Sequence, residues 1–208
     1  MRPFIHINCA MSADGKIAGP DRKQVRISSD EDKQRVKNLR RQYDAILVGV
    51  GTVVSDDPHL TVKGLSYDEN PVRIVIDPHG RTPSDALVVN DSAPTVILTD
   101  DSSERTWENA KTIRCGDPFD LKFAMEELAK AGIENILVEG GGETIASFFR
   151  NRMVDRFTVF VGSMIVGGRD SPTPVDGDGW VTDGGVKLEL KNSEISGDGV
   201  LLTYNVRS

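Results

Sequence analysis

Apolar residues recur along the chain with two different periods, and these periods predict strands alternating with helices. Runs of consecutive or alternating apolar residues, which are typical of strands, occur at 4–11, 44–48, 72–76, 95–98, 136–138 and 156–161. Apolar residues at helical spacing occur in two segments, at Val36, Leu39 and Tyr43 and again at Leu121, Ala124, Met125, Leu128 and Ala131. Strands that alternate with helices predict an α/β fold with a mainly parallel sheet and helices on both faces.

Capping residues set the predicted ends of these elements. Ser28-Ser29 is an N-cap candidate and is followed by acids at 30–32, which the helix dipole favours. Asp117 as N-cap and Pro118 as first helical residue predict the start of the second helix, and Gly132 predicts its end. Residues 186–195 and 200–206, joined by a Gly-Asp-Gly turn, predict a C-terminal antiparallel hairpin. We find no linker or repeat and expect one domain over residues 1–208.

The stretch from Ile136 to Phe149, ILVEGGGETIASFF, predicts a buried strand, a glycine turn and a helix start. The first amides of that helix, at Glu143, Thr144 and Ile145, form a potential anion site. The Rossmann fingerprint is not met, because Ile145 stands where its third glycine belongs. A tight connection without a ligand is the alternative. Similar loops, GVGT and DPHG, follow two other predicted strands, and ligands bind beyond the carboxyl ends of such strands.

Composition narrows the function classes. The net charge of −7 argues against nucleic acid and membrane surfaces as partners. Cys9 and Cys115 have no metal or redox spacing, so we expect buried thiols in a reduced compartment. The N-terminus does not resemble a signal peptide, and we expect a soluble, cytoplasmic protein. The histidines, which we interpret as structural or surface residues, show no ligand spacing, and no metal site is expected: His6, His59 and His79.

Four fragments together resemble the reductase family of riboflavin biosynthesis: MSADGKIA, LRRQYDAILVGVGTVVSDDPHLTVK, VRIVIDPHGRTP and ILVEGGGETIASFF. The resemblance covers essentially the whole chain. It implies a dihydrofolate-reductase-like, three-layer α/β/α fold with a mainly parallel central sheet and the C-terminal antiparallel hairpin. It also implies NADPH-dependent reduction of a ribosylamino-pyrimidine 5′-phosphate at C1′ of its sugar, and a homodimer. The zinc deaminase fused to some members is not expected here, because H-x-E and P-C-x-x-C are absent. The stand-alone archaeal type, which acts on the diaminopyrimidinone, is the better match.

The resemblance assigns roles to individual positions. The cofactor-binding positions are Thr52, Asp56, Asp77, Pro78, Gly141, Gly142, Glu143, Thr144 and Arg26. The substrate-binding positions are Gln24, Arg40, Leu60, Lys63 and Glu139. No catalytic residue is certain, and Glu139 is the candidate for orienting the substrate. Arg26 and Lys63 depart from the fused bacterial enzymes, which often have tryptophan and arginine there.

Several alternatives stay open at this stage. Arg40 could instead be a solvated cation at a helix end, and Glu139 could brace its turn through backbone N–H groups. Asp14 is expected to form the DG turn, with a substrate-facing role as the alternative. The loop before the hairpin, with Trp180, is expected to be a surface loop rather than a flap. For the 2′-phosphate of NADPH, Arg81 and Arg169 are candidates.

Three other functions remain as alternatives: reduction of the deaminated uracil analogue, a true dihydrofolate reductase, and a non-catalytic nucleotide-binding module. A basic pair such as Arg40 and Lys63, placed to face a phosphate, has no use in a dihydrofolate reductase. Neither that enzyme nor a non-catalytic module would need the whole substrate set around Glu139.

Overall fold

The computed structural model describes residues 1–181 and 184–207 and shows a mixed α/β protein. The helices are α1 (Asp30–Arg40), α2 (Val50–Asp56), α3 (Leu121–Lys130) and α4 (Gly142–Arg150). The strands are β1 (Phe4–Ser12), β2 (Ala45–Gly49), β3 (Val72–Ile76), β4 (Thr95–Thr99), β5 (Lys111–Arg114), β6 (Asn135–Gly140), β7 (Arg156–Gly162), β8 (Leu188–Ser196) and β9 (Gly199–Val206). In the part of the chain that is described, no helix has the length and apolar character needed to cross a bilayer.

The chain divides into two compact units. The first contains Met1–Phe4 and Leu39–Val138, and the second contains Ile5–Asn38 and Glu139–Ser208. In the first unit the strand order is β5-β4-β3-β2-β6, and the neighbours from β2 to β5 are parallel. In the second unit the order is β1-β7-β9-β8, where β1 and β7 are parallel and the last two pairs are antiparallel. The predicted mainly parallel pairing and the C-terminal hairpin are both confirmed.

Strand register fixes where the loops of each unit begin. In the first unit Gly49 is opposite Ile76, which is opposite Leu98, so the loops after β2, β3 and β4 leave from one edge. In the second unit Ser12 is opposite Gly162, so the turn after β1 and the loop after β7 start at the same level. The predicted ligand loops GVGT and DPHG therefore share an edge of the first unit.

Each unit has its own buried apolar cluster. In the first unit it is formed by Ile46, Val48, Val50, Val53, Leu60, Val75, Ala86, Val88, Val89, Ile97 and Trp107. In the second unit Ile27, Phe160 and Leu201 pack together. Side chains from β2, β3 and β4 supply much of the first cluster, because their apolar runs are buried on both faces as in other parallel sheets.

The start of one helix was predicted wrongly, and one strand was not predicted. The predicted start of α3 at Asp117-Pro118 is wrong: the helix begins at Leu121, and Asp120 is its N-cap. The Asp120 carboxylate accepts hydrogen bonds from the amides of Lys122 and Phe123, at 2.8 and 3.1 Å, so it satisfies the first turn. Strand β5 was not predicted, because its four residues carry no strand-like run of apolar side chains.

Candidate active site

The GVGT loop of the first unit is a strand end that leads directly into a helix. Gly49 ends β2 and is the N-cap of α2, and it has no side chain that could accept from the first amides. No acidic residue occupies the first turn. Thr52 is half-buried in this helix and Asp56, its last residue, is exposed. Helix amides that no side chain caps suit an anionic ligand, so the geometry is compatible with the cofactor role predicted for Thr52.

The DPHG turn of the first unit is braced from inside by Asp77. This carboxylate is fully buried and accepts from the amide of Arg81 (2.9 Å) and from the amide and hydroxyl of Thr82 (2.7 Å each). Three hydrogen bonds occupy the two oxygens. The main chain of this turn is engaged as well, since the Asp77 amide donates to the carbonyl oxygen of Leu98 (2.9 Å). The carbonyl oxygen of Pro78 accepts from the amide of Asp100 (2.9 Å), and the cofactor role of the turn stays a prediction. Arg81, the candidate for the 2′-phosphate, is exposed beside the turn.

Three basic residues lie in two segments that contact each other near the C-terminal end of α1. Arg40 is the last residue of that helix and is half-buried, whereas Lys63 is exposed. Arg41, which follows Arg40, donates from Nη2 to the carbonyl oxygen of Lys63 at 3.2 Å. This bond brings the two predicted phosphate-binding segments together, and it assigns Arg41 a contact that the sequence did not predict. A locally basic group can bind a phosphate even though the chain is acidic as a whole.

Leu60, which precedes Lys63, has its side chain in the core of the first unit. It is 3% exposed, and its backbone adopts φ 49°, which is rare for a branched residue. Because the side chain is packed among apolar neighbours, a substrate contact of Leu60 would involve its main chain.

The glycine turn of the second unit requires glycine for two different reasons. Gly141 has φ 79°, a conformation that side chains rarely adopt. Gly142 is the first residue of α4, and a Cβ there would lie 2.5 Å from both Asp176 Oδ2 and the carbonyl oxygen of Thr173. At Gly142 the close approach therefore comes from the protein's own loop. The cofactor role that the resemblance implies for Gly142 stays a prediction.

One of the three amides that were predicted to bind an anion at this turn is not available. The amide of Ile145 donates to the carbonyl oxygen of Gly141 at 2.9 Å, so it belongs to the helix and is not available for an anion. Glu143 is exposed and Thr144 is half-buried in the first turn of α4. Glu139, near the end of β6, is half-buried and has an interaction partner in the structure. Its orienting role stays a prediction.

The other two resemblance-based positions of the second unit lie in the segment between β1 and α1. Gln24 is exposed and forms an isolated antiparallel bridge with Ala18. Arg26 donates to Asp30 at 2.8 Å, and both side chains are more than 70% exposed. An exposed ion pair contributes little to stability, so the Arg26 guanidinium can exchange this partner for a ligand at low cost.

Asp14 does more than form the predicted DG turn. The turn is present, with Gly15 at φ 78°. In addition, the Asp14 carboxylate accepts hydrogen bonds from the Ser12 hydroxyl and from two amides of the loop after β7, which holds that loop in place. Arg169 and Trp180 are exposed residues of the same long loop, and Trp180 is 39% exposed.

The thiols and histidines lie in several different environments. Burial raises the pKa of both Cys9 and Cys115 to about 12, so both thiols stay protonated and unreactive. Cys115 is buried as predicted, whereas Cys9 is half-buried. His6 is buried against Thr158, and His79 is exposed, with Nδ1 2.9 Å from Asp100 Oδ2. Over residues 1–181 and 184–207, no three His, Cys, Asp or Glu side chains are grouped to hold a metal ion.

Comparison with known proteins places these features in a family. The family model described as the RibD C-terminal domain matches residues 3–202. A protein of Methanothermobacter thermautotrophicus, named 2,5-diamino-6-ribosylamino-4(3H)-pyrimidinone 5′-phosphate reductase, is 42% identical over an alignment covering all of both chains. An Archaeoglobus fulgidus protein of the same name is 37% identical, with 98% of each chain covered. These relatives are reductases that span the whole length of the chain.

Solved structures give the same result for the fold. The deaminase and uracil reductase of Thermotoga maritima superposes with a TM-score of 0.81 at 27% identity. The superposition includes 99% of this chain and 57% of the Thermotoga maritima chain. The riboflavin biosynthesis reductase of Saccharomyces cerevisiae superposes with a TM-score of 0.77 at 22% identity, covering 99% and 90%. The fold is the dihydrofolate-reductase-like fold that the resemblance implies. Because the family model matches residues 3–202 of this chain, the chain belongs to the RibD C-terminal domain family.

Proposed function

We propose that this chain, acting as a single reductase domain, reduces 2,5-diamino-6-ribosylamino-4(3H)-pyrimidinone 5′-phosphate to the ribitylamino compound, with NADPH as the hydride donor to C1′ of the ribose. The two full-length archaeal relatives carry the name of this reaction's enzyme. The observation that carries the proposal is the contact between the segment with Arg40 and Arg41 and the segment with Lys63. The hydrogen bond from Arg41 to the Lys63 carbonyl oxygen holds the two segments together, and this supports the proposal that their cations bind the 5′-phosphate.

The cofactor would be held by backbone donors and orienting side chains. In the first unit, the resemblance assigns the cofactor to Thr52 and Asp56 of α2 and to the Asp77-Pro78 turn, and the first amides of α2 have no side-chain cap. In the second unit, Gly141, with its positive φ, and the first turn of α4 at Glu143 and Thr144 are the matching elements. NADPH supplies the hydride, and the protein needs to orient two ligands and exclude water.

The resemblance assigns the substrate to five positions, each with its own role. Arg40 and Lys63 would bind the 5′-phosphate, Leu60 would contact the substrate through its main chain, and Gln24 would face the pyrimidine. Glu139 would accept hydrogen bonds from amino or hydroxyl groups of the substrate and so orient C1′ for hydride transfer. A homodimer and a small-molecule substrate are the partners that we propose from the family.

The deaminated uracil analogue is the second candidate substrate. It is favoured by the Thermotoga maritima structure, whose name includes a uracil reductase activity, at 27% identity. The higher identity to the two archaeal pyrimidinone reductases favours the diamino compound instead.

The test mixes purified protein and NADPH with each of the two pyrimidine phosphates and follows the loss of nicotinamide absorbance. We expect turnover with the diamino substrate at a kcat/KM at least tenfold above that with the uracil analogue. Faster turnover of the uracil compound would reassign the substrate. Absence of turnover with both compounds, in a protein with a cooperative melting transition, would refute the proposed function.

A further inference from the structure

The turn after β1 and the loop after β7 are connected through one carboxylate. Asp14 Oδ1 accepts from the amide of Val166 at 3.0 Å, and Asp14 Oδ2 accepts from the amide of Gly167 at 2.7 Å. The hydroxyl of Ser12, which is fully buried, donates to Asp14 Oδ1 at 2.6 Å. Two oxygens thus hold two consecutive amides, an arrangement that a residue needed only for its own turn would not require.

Three further hydrogen bonds connect the same two segments. The amide of Ala13 donates to the carbonyl oxygen of Met164 (2.9 Å), and the amide of Ile17 donates to the carbonyl oxygen of Pro172 (2.9 Å). Lys16 Nζ donates to the carbonyl oxygen of Ser171 (3.1 Å). The 12–17 turn is therefore bonded to the loop from its beginning to Pro172.

Beyond Pro172 the loop packs on the first residue of α4. The Asp176 amide donates to the carbonyl oxygen of Gly142 at 3.2 Å, and Arg150 Nη2 donates to that of Asp176 at 3.3 Å. Asp176 Oδ1 accepts from the Thr173 amide (2.9 Å) and hydroxyl (2.7 Å), which closes this part of the loop into a compact turn. Its fit is tight, since a Cβ at Gly142 would lie 2.5 Å from the Thr173 carbonyl oxygen.

We infer that Asp14 is a positioning residue for the cofactor: through residues 163–176 it fixes the glycine turn and the first turn of α4. The inference rests on the proposed function, in which this turn binds the dinucleotide. Asp14 itself need not touch a ligand. It acts through the loop, whose two ends are held by the DG turn and by Gly142.

Asp14 can hold both amides because its carboxylate has two acceptor oxygens. The hydrogen bond from Ser12, followed by those from the loop amides, lowers the pKa of Asp14 to about 2, so the carboxylate is ionised throughout the neutral range. Replacement by asparagine keeps the shape of the side chain but provides only one acceptor oxygen. Its NH₂ group would then face one of the two loop amides as a second donor. Asp14→Asn should therefore release one side of the contact while the turn itself can still form.

The experiment compares four proteins: the wild type, Asp14→Asn, Asp176→Asn, and the double variant. Asp170→Asn is the matched control, because Asp170 is an exposed acid of the same loop and loses the same charge. The first measurement is amide hydrogen exchange of peptides that cover 141–150 and 163–177, without ligand. The second is the Kd and KM for NADPH together with kcat.

We expect Asp14→Asn to accelerate exchange in both peptides and to raise the Kd and KM for NADPH about tenfold, on the scale of one charge-assisted hydrogen bond. The kcat at saturating NADPH should stay within about twofold, since the chemical step is untouched. The Kd of the double variant for NADPH should not exceed the larger of the two single-variant Kd values, because both substitutions act through one loop. Asp170→Asn should behave like the wild type.

Two results would overturn the inference. One is faster exchange in 163–177 with unchanged exchange in 141–150, which would limit Asp14 to its own turn and loop. The other is full additivity of the two substitutions in NADPH affinity. If the wild-type protein binds no dinucleotide, the proposed function fails, but the exchange measurement still decides whether Asp14 positions the start of α4.

Discussion

Gly142→Ala is a prediction in which two known effects oppose each other. In a helix, alanine is normally favoured over glycine by about 0.5–1 kcal/mol, because glycine loses more backbone entropy on folding. Here the added Cβ would lie 2.5 Å from Asp176 Oδ2 and 2.5 Å from the Thr173 carbonyl oxygen. One of these contacts is with backbone, so the loop must shift, and overpacking of this kind costs about 1–3 kcal/mol. For two simultaneous contacts this close we take about 2–2.5 kcal/mol of that cost, and subtracting the alanine preference of about 0.5–1 kcal/mol leaves a net destabilisation of about 1–2 kcal/mol.

Gly51→Ala is the control, because Gly51 lies in the first turn of α2 with no atom within 4 Å of an added Cβ. For a chain of this size about 1 kcal/mol changes Tm by 2–4 °C, so thermal melting followed by circular dichroism resolves both effects. We expect Tm to fall by about 2–8 °C in Gly142→Ala and to rise by about 1–4 °C in Gly51→Ala. A Tm of Gly142→Ala equal to or above that of the wild type would refute the packing of the loop on α4.

Three other predictions concern the substrate, the phosphate and pH. Glu139→Gln should keep Tm and NADPH affinity but lower kcat/KM for the pyrimidine by about one to three orders of magnitude, the scale of a misplaced orienting group; lower Tm with normal single-turnover rate would support a bracing role. Alanine at Arg40 or Lys63 should raise the substrate Kd by the equivalent of about 2–5 kcal/mol and leave NADPH binding unchanged; an unaltered substrate Kd in both variants would place the phosphate elsewhere. Burial, with Arg156 and Arg35 nearby, lowers the pKa of His6 to about 3, so between about pH 6.5 and pH 3 the unfolded chain binds a proton that the folded chain does not. Stability should therefore fall on acidification by up to about 1.4 kcal/mol per pH unit, and melting from pH 7 to pH 5 should show a smaller decrease in His6→Gln than in the wild type.

Strands with uninterrupted apolar runs could be predicted from sequence nearly to the residue. The prediction for β3 has the observed bounds, that for β4 ends one residue early, and that for β2 is displaced by one residue at both ends. A helix usually needs about 10–12 residues, so an apolar run this short is interpreted as a strand. Prediction of a helix start is less accurate where two nearby residues could each be the N-cap. Asp117-Pro118 and Asp120 both qualify as starts of α3, and only the contacts of the Asp120 carboxylate decide between them.

The candidate site also has features that could be predicted from sequence and features that could not. The glycine turns were visible because glycine between a strand and a helix is a local signal. The packing of Thr173 and Asp176 on Gly142 was not, since it joins segments more than thirty residues apart with no periodic pattern. For the same reason the sequence indicated that Asp14 forms a turn but not that its carboxylate holds the amides of Val166 and Gly167.

Helix α1 shows a physical limit of hydrophobic patterning. Its spacing predicted an inward apolar stripe, yet Val36 and Leu39 are half-buried and Asp32 is the residue that is 1% exposed. Arg35 Nε donates to Asp32 at 2.8 Å and Arg35 Nη2 donates to Asn8 on β1 at 2.7 Å, so the helix is attached to its strand by polar contacts. Patterning assigns such residues to the solvent side because burying an unpaired charge is costly. That cost is offset only when partners from another strand satisfy the charge, which is a property of the tertiary structure. The polar residues of α1 therefore carry information about the fold that apolar periodicity cannot contain.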